Sequence, residues 1–160
     1  MMITKRTVAI AATAVLMACG IQWRANGDMP KAGVDAACPL AFEKSGYCAD
    51  FAWLKFPGED VKGEALVRFW KKDALPEYGQ FSAPANAMVF VDLWMPEHGH
   101  GGGKLKTAAF QDVAGKDLAG VYRVTNVSFI MPGRWDIRIQ LRTPDGQDQI
   151  ERVVIPIEIQ

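Results

Sequence analysis

The segment RWDIRIQLR, residues 134–142, alternates apolar and polar side chains with a period of two residues. In an extended chain this period places the apolar side chains on one face and the polar ones on the other. The apolar members are Trp135, Ile137, Ile139 and Leu141. The pattern predicts a strand buried on one face, and a chain with such strands must fold as a layered β structure.

The two-residue period returns in the last segment of the chain. Its apolar positions are Val153, Ile155, Ile157 and Ile159. Pro156 lies among them and indicates an edge strand, because proline cannot donate a hydrogen bond to a neighbouring strand.

Alternation and turn signals predict five further strands. They cover residues 48–56, 63–71, 87–95, 104–112 and 120–131. The last of these carries apolar side chains on both faces, with Val121 and Val127 on one and Val124 on the other. Such a strand is expected to be central in its sheet.

About seven short strands predict an all-β fold, an immunoglobulin-like antiparallel β-sandwich. Residues 72–84 have no clear pattern and fit the crossover that a Greek key needs. A short helix within residues 104–118 is the alternative for that part of the chain.

The amino-terminal end has the features of an export signal. Lys5 and Arg6 precede an apolar run at residues 7–17, about half the length needed to cross a bilayer. The end of the run, Leu16, Met17, Ala18 and Cys19, resembles the lipobox of bacterial lipoproteins, although methionine is unusual at its position. We expect residues 1–18 to be removed and Cys19 to be lipidated; cleavage as a soluble exported protein is the alternative.

The residue after the cysteine is Gly20 and not aspartate, which is similar to lipoproteins that are sorted to the outer membrane. The expected location is therefore the periplasmic side of the outer membrane. Residues 19–37 lack apolar periodicity and are predicted to form a flexible tether. The β-sandwich domain is expected to occupy residues 38–160.

Two cysteines remain beyond the lipobox. Disulfides persist in exported proteins, so Cys38 and Cys48 are predicted to pair. Nine residues separate them, whereas thioredoxin-type redox chemistry uses cysteines separated by two. The predicted bond is therefore structural.

Charge and motifs exclude several classes of function. The chain has 18 basic and 18 acidic side chains, and so lacks the positive surplus that binding nucleic acid requires. No serine lies in a nucleophile-elbow pattern, and Gly101–Gly103 with Lys104 lacks the context of a P-loop. We expect a binding protein and not an enzyme.

The stretch WMPEHGHGGG, residues 94–103, contains the only two histidines of the chain, His98 and His100, close after Met95. Antiparallel strands reverse the chain direction, which should bring Met131 to the same end of the sandwich. Two thioethers and two imidazoles suit Cu(I), and histidine also binds Cu(II). This ligand set suits zinc less well, because zinc sites use cysteine, histidine and carboxylate. Glu97, a carboxylate beside the histidines, leaves zinc as an alternative.

Each of these residues also has a purely structural interpretation. Methionine fills gaps in cores, so Met95 and Met131 could simply pack there. Exposed histidines are usually only solvated, and the glycines after His100 permit turn conformations. The sequence leaves both interpretations open.

Two segments resemble a known family. They are Trp94-Met95-Pro96-Glu97-His98-Gly99-His100-Gly101 and Met131-Pro132-Gly133-Arg134-Trp135. They resemble the "WMPxMxHG" and "MPGxW" segments of YtkA-like or FixH-type domains of bacterial exported proteins, over about residues 60–157. The resemblance implies an immunoglobulin-like sandwich, export, and a link to copper handling or cytochrome oxidase maturation. His98 stands where relatives often carry methionine, which shortens the thioether set.

Together these patterns predict a membrane-anchored periplasmic module that binds copper or delivers it to a protein partner, with Met95, His98, His100 and Met131 as ligands. The alternative is a non-metal interaction or structural domain that contacts a partner through a sheet edge or through the loops at one end.

Overall fold

The computed structural model describes residues 38–58, 60–74 and 81–160. The predicted signal peptide, the predicted lipidation site at Cys19 and the predicted tether lie outside these residues. Within the described part, no helix has the length and apolar character needed to span a membrane.

The described chain forms nine strands. They are β1 (Leu40–Phe42), β2 (Tyr47–Lys55), β3 (Gly63–Lys71), β4 (Met88–Met95), β5 (His100–Gly101), β6 (Lys106–Gln111), β7 (Asp117–Val127), β8 (Gly133–Arg142) and β9 (Gln149–Ile159). A five-stranded sheet has the order β1-β2-β3-β7-β6, and a four-stranded sheet has the order β5-β4-β8-β9. All pairings are antiparallel.

The strand order is that of an immunoglobulin-like sandwich. Strands β2-β3-β7-β6 correspond to the ABED sheet of that fold, and β4-β8-β9 to its CFG sheet. The predicted all-β sandwich is confirmed, and all seven predicted strands are present. The sequence-based interpretation missed two short edge strands, β1 and β5. The alternative of a helix within residues 104–118 is wrong, because that range contains β6 and the start of β7.

The core lies between the two sheets, and β8 supplies much of it. Its four alternating apolar side chains are at most 2% exposed: Trp135, Ile137, Ile139 and Leu141. The four alternating apolar side chains of β9 pack against this core: Val153, Ile155, Ile157 and Ile159. Strand β9 lies at the edge of its sheet, which confirms the prediction from Pro156.

Strand β7 is interior, as predicted, but the predicted division of its two faces is wrong. Gly63 pairs with Val127 and Ala65 pairs with Val124, so β7 has one extra residue between the two pairs. The extra residue is accommodated at Asn126, which has a positive φ of 62°. This bulge turns Val127 to the same face as Val124, and both are fully buried in the core.

The predicted disulfide is present. Cys38 and Cys48 are bonded, with their Cα atoms 5.2 Å apart. The bond ties the chain just before β1 to β2, and β1 carries Phe42, which is completely buried. It therefore fastens a three-residue edge strand whose few ladder bonds would hold it weakly.

Glu151 in β9 joins the edge of the four-stranded sheet to the turn between β1 and β2. Its carboxylate accepts hydrogen bonds from the backbone N–H groups of Lys44 and Ser45, each at 3.0 Å, and from the Ser45 hydroxyl at 2.6 Å. Partial burial raises the pKa of Glu151, but these hydrogen bonds outweigh it, and the net pKa lies below its usual value of 4.5.

Glu151→Gln is expected to lower the free energy of unfolding at neutral pH by about 1 kcal/mol, because the charged acceptor is lost at a site that water partly screens. A carboxylate with a lowered folded-state pKa stabilises the fold above its unfolded-state pKa, and this contribution disappears as the pH falls. Urea unfolding at pH 7 and pH 3 should therefore show a difference between wild type and variant only at pH 7. Glu158→Gln on the same strand is the control. An equal difference at both pH values would contradict the assigned role.

Candidate metal site at one end of the sandwich

Two sequence-distant segments meet at the end of the sandwich where β4 finishes and β8 begins. Trp94 pairs with Asp136 across the two strands. The Cε methyl of Met95 lies so close to Gly133 that a Cβ added there would stand 2.7 Å from it. The residues before Gly133, including Met131, therefore reach the same end as Met95.

Met95 is part of the core, with only 1% of its surface exposed. It pairs directly with His100 across β4 and β5. Residues opposite each other in an antiparallel ladder point to the same face, with Cβ atoms about 5 Å apart. The thioether of Met95 and the imidazole of His100 thus share the inner face, one inside the core and the other at its rim.

The turn between β4 and β5 carries His98. The N–H groups of His98 and Gly99 donate to the Met95 carbonyl at 3.3 and 2.9 Å. Gly99 has a φ of +65°, a conformation that glycine adopts without strain. The turn holds the exposed ring of His98 with its centroid 5.7 Å from that of His100.

One ring nitrogen of His100 faces a backbone carbonyl. Nδ1 lies 3.1 Å from the Gly101 carbonyl oxygen. A carbonyl only accepts, so this contact fits the tautomer that carries its proton on Nδ1 and has its lone pair on Nε2. This is the arrangement that metal-binding histidines use, in which the second nitrogen is fixed by a backbone carbonyl.

Trp135 lies behind the two histidine-bearing elements. Its side chain is completely buried, and its ring centroid is 6.0 Å from that of His100. Its indole N–H donates to the Met131 carbonyl at 3.1 Å. The ring of Phe129 packs on it at 5.6 Å.

The glycines after His100 pack closely and are not only a flexible connection. A Cβ on Gly102 would lie 2.9 Å from Leu93 Cβ and 3.3 Å from Trp135 Cζ3. The Gly102 N–H donates to the Leu93 carbonyl at 3.1 Å. Glycine at this position lets the backbone pack directly against the core. This close packing fixes the position of β5, which begins at His100.

The four predicted ligand residues thus differ in their surroundings. Met95 is buried, His100 is partly buried, and His98 is exposed, whereas Met131 lies in the β7–β8 connection with 36% of its surface exposed. Among the residues that the structure describes, no three of His, Cys, Asp and Glu come together to hold a metal ion. A metal site at this end therefore depends on methionine sulfur beside the two imidazoles.

The alternation in residues 134–142 predicted that Trp135 is buried, but not that it donates a hydrogen bond to the Met131 carbonyl. A tryptophan four residues after the methionine, at an inward position of β8, was the available signal. The pairing of Met95 with His100 also escaped prediction, because β5 is only two residues long.

Comparison with known families bears on the same two segments. Residues 80–140 match the YtkA-like family model. The match spans both the WMPEHGHG segment and the MPGRW segment, and confirms the YtkA-like resemblance over a shorter range than residues 60–157. Searches of curated proteins and of solved structures found no match. A YtkA-like domain fits a periplasmic or extracellular module, and the match alone says nothing about copper.

Proposed function

We propose that this protein is a copper-binding module, exported and anchored to the membrane through Cys19, on the periplasmic side of the outer membrane. Met95, His98, His100 and Met131 would hold the ion. Its role would be binding and delivery to a protein partner, without catalysis. The family resemblance extends the proposal to the maturation of a respiratory oxidase.

The observation that supports the proposal is the proximity of the His98 and His100 rings, with Met95 opposite His100 in the β4–β5 ladder. A histidine that binds a metal through nitrogen at about 2 Å has its ring centroid about 3 Å from the ion, so two rings sharing an ion have centroids up to roughly 6 Å apart. The 5.7 Å between His98 and His100 fits this range. Met95 lies opposite His100 in the β4–β5 ladder, and its thioether would be the third ligand.

The donor set favours copper over harder cations. Thioether sulfur is a soft ligand that selects Cu(I), and imidazole serves both Cu(I) and Cu(II). Zinc in proteins prefers cysteine, histidine and carboxylate, and the described residues do not gather three of these. When copper is bound, the fixed Nδ1–H of His100 would orient Nε2 toward it.

The test is a comparison of wild type with the His98→Ala/His100→Ala variant. Full-length protein, purified in detergent from the membrane fraction, would be titrated with Cu(II) and, under reducing conditions, with Cu(I) against a chromophoric chelator. The variant is expected to bind Cu(II) about 30- to 100-fold more weakly, because both nitrogen ligands are gone. Glu97→Gln, in the same turn, is the matched control and should bind like wild type.

Two results would refute parts of the proposal separately. Equal, weak binding by wild type and the double variant would leave the non-metal interaction domain as the better function. Recovery of the wild-type protein only from the soluble fraction would refute the membrane anchor while leaving the copper site standing.

A further inference from the structure

We propose that Trp135 is a positioning residue that holds Met131 at the metal site and thereby sets the preference for Cu(I) over Cu(II). The inference rests on the proposed copper function. It gives a buried core tryptophan a second role, which its hydrogen bond and its neighbours indicate.

Trp135 is fixed far more firmly than the segment it contacts. It lies within β8, where it pairs with Ile157 of β9, and its side chain is completely buried. Met131 belongs to the connection between β7 and β8, outside any strand. The neighbouring Ile130 is 58% exposed. A rigid donor thus holds a backbone carbonyl in a segment with few buried contacts of its own.

The hydrogen bond sits directly at the residue that would provide the second thioether. The indole Nε1–H donates to the carbonyl of Met131 itself, at 3.1 Å. Fixing this carbonyl restricts the backbone position of Met131. It therefore restricts the positions that the Met131 sulfur can take relative to the histidines. Pre-ordering a ligand in this way strengthens binding because less conformational freedom is lost when the metal binds.

The same indole also contacts the histidine side of the site. Its ring lies 6.0 Å from the His100 ring, and Gly102 packs against its edge. Trp135 therefore connects the segment bearing Met131 to the strand bearing His100. Removing only its N–H should loosen the methionine segment and leave the imidazole pair in place.

The consequence concerns the oxidation state of the metal. Thioether sulfur contributes to Cu(I) binding far more than to Cu(II) binding, whereas imidazole contributes to both. Loss of the hydrogen bond should therefore weaken Cu(I) binding selectively. A residue that served only to fill the core would, when changed, affect both oxidation states alike.

The test is a double-mutant cycle with Trp135→Phe and Met131→Leu in the full-length protein, using Cu(I) and Cu(II) salts as probes. Trp135→Phe removes the N–H group and also the fused ring whose Cζ3 lies against Gly102, so a packing effect common to both oxidation states is expected. Beyond that common effect, loss of the hydrogen bond should weaken Cu(I) binding about three- to tenfold more than Cu(II) binding. In the Met131→Leu background the same change should weaken Cu(I) and Cu(II) binding by the same factor. Trp94→Phe is the control: it lies at the same end of β4, stacked under Arg138 at 4.6 Å, and should leave Cu(I) binding unchanged.

The proposal is overturned if Trp135→Phe weakens Cu(I) binding no more than Cu(II) binding, or if the extra loss of Cu(I) binding is the same with and without Met131. If wild type binds no copper more tightly than the variant without histidines, the proposed function itself has failed, which is a different result. Should Trp135→Phe not fold, NMR of the tryptophan indole N–H groups replaces it. Exchange of the Trp135 N–H with solvent should slow when Cu(I) is added to wild type but not to Met131→Leu, and equal slowing in both would refute the role.

Discussion

Met95→Ala is expected to lower the free energy of unfolding by about 2–5 kcal/mol, the usual cost of truncating a large buried side chain to alanine. Met95 is 1% exposed, and its methyl group packs against Gly133 at the start of β8. Neither backbone can move far to fill the gap, because β4 and β8 are paired in register along their length. Urea unfolding of the metal-free protein measures the effect.

Two further variants separate packing from ligation. Met88→Ala removes a methionine that is 41% exposed at the opposite end of β4, and should cost less than about 1 kcal/mol. Met95→Leu keeps most of the buried volume and should cost less than about 1.5 kcal/mol, yet weaken Cu(I) binding about tenfold by removing the sulfur. If Met95→Ala were no more destabilising than Met88→Ala, the burial of Met95 would be wrong.

The sandwich could be predicted because burial of one sheet face imposes its period directly on the sequence. In residues 134–142 each second side chain enters the core, so alternation identified both the strand and its inner face. Proline at 156 identified an edge because an interior strand would need its missing N–H. Both conclusions follow from local chemistry and require no knowledge of the partner strands.

Features that depend on pairing escaped prediction. Strands β1 and β5 have three and two residues, too few to display a period. The bulge at Asn126 reverses the faces of β7 between Val124 and Val127, and only the register against β3 reveals it. A period of two assumes an unbroken ladder, so one inserted residue changes every assignment beyond it.

The candidate site was predictable in its location and not in its details. Counting chain reversals was enough to bring Met131 and Met95 to one end of the sandwich. The direct pairing of Met95 with His100, and the hydrogen bond from Trp135 to Met131, depend on register and on side-chain direction. A single sequence contains no separate signal for either.

Loss of the disulfide is the second large effect expected. Changing Cys38 and Cys48 together to alanine should lower the free energy of unfolding by about 2–3 kcal/mol, since the bond closes a short loop and so restricts the unfolded chain. The two cysteines are 10 positions apart, and the loop contains β1. Without the bond, β1 is held by the packing of Phe42 and by its short ladder with β2.

Reduction of the wild-type protein provides the matched control. A thiol reductant should lower the urea midpoint of the wild type nearly to that of the double variant, and should leave the variant itself unchanged. Mass spectrometry after alkylation, with and without reduction, would report whether the two thiols are bonded. Because β1 borders the turn that Glu151 caps, the double variant should also lose most of the stabilisation that Glu151→Gln removes. Full additivity of the two changes would mean that β1 stays docked without its covalent tie, and that the bond contributes only through the unfolded state.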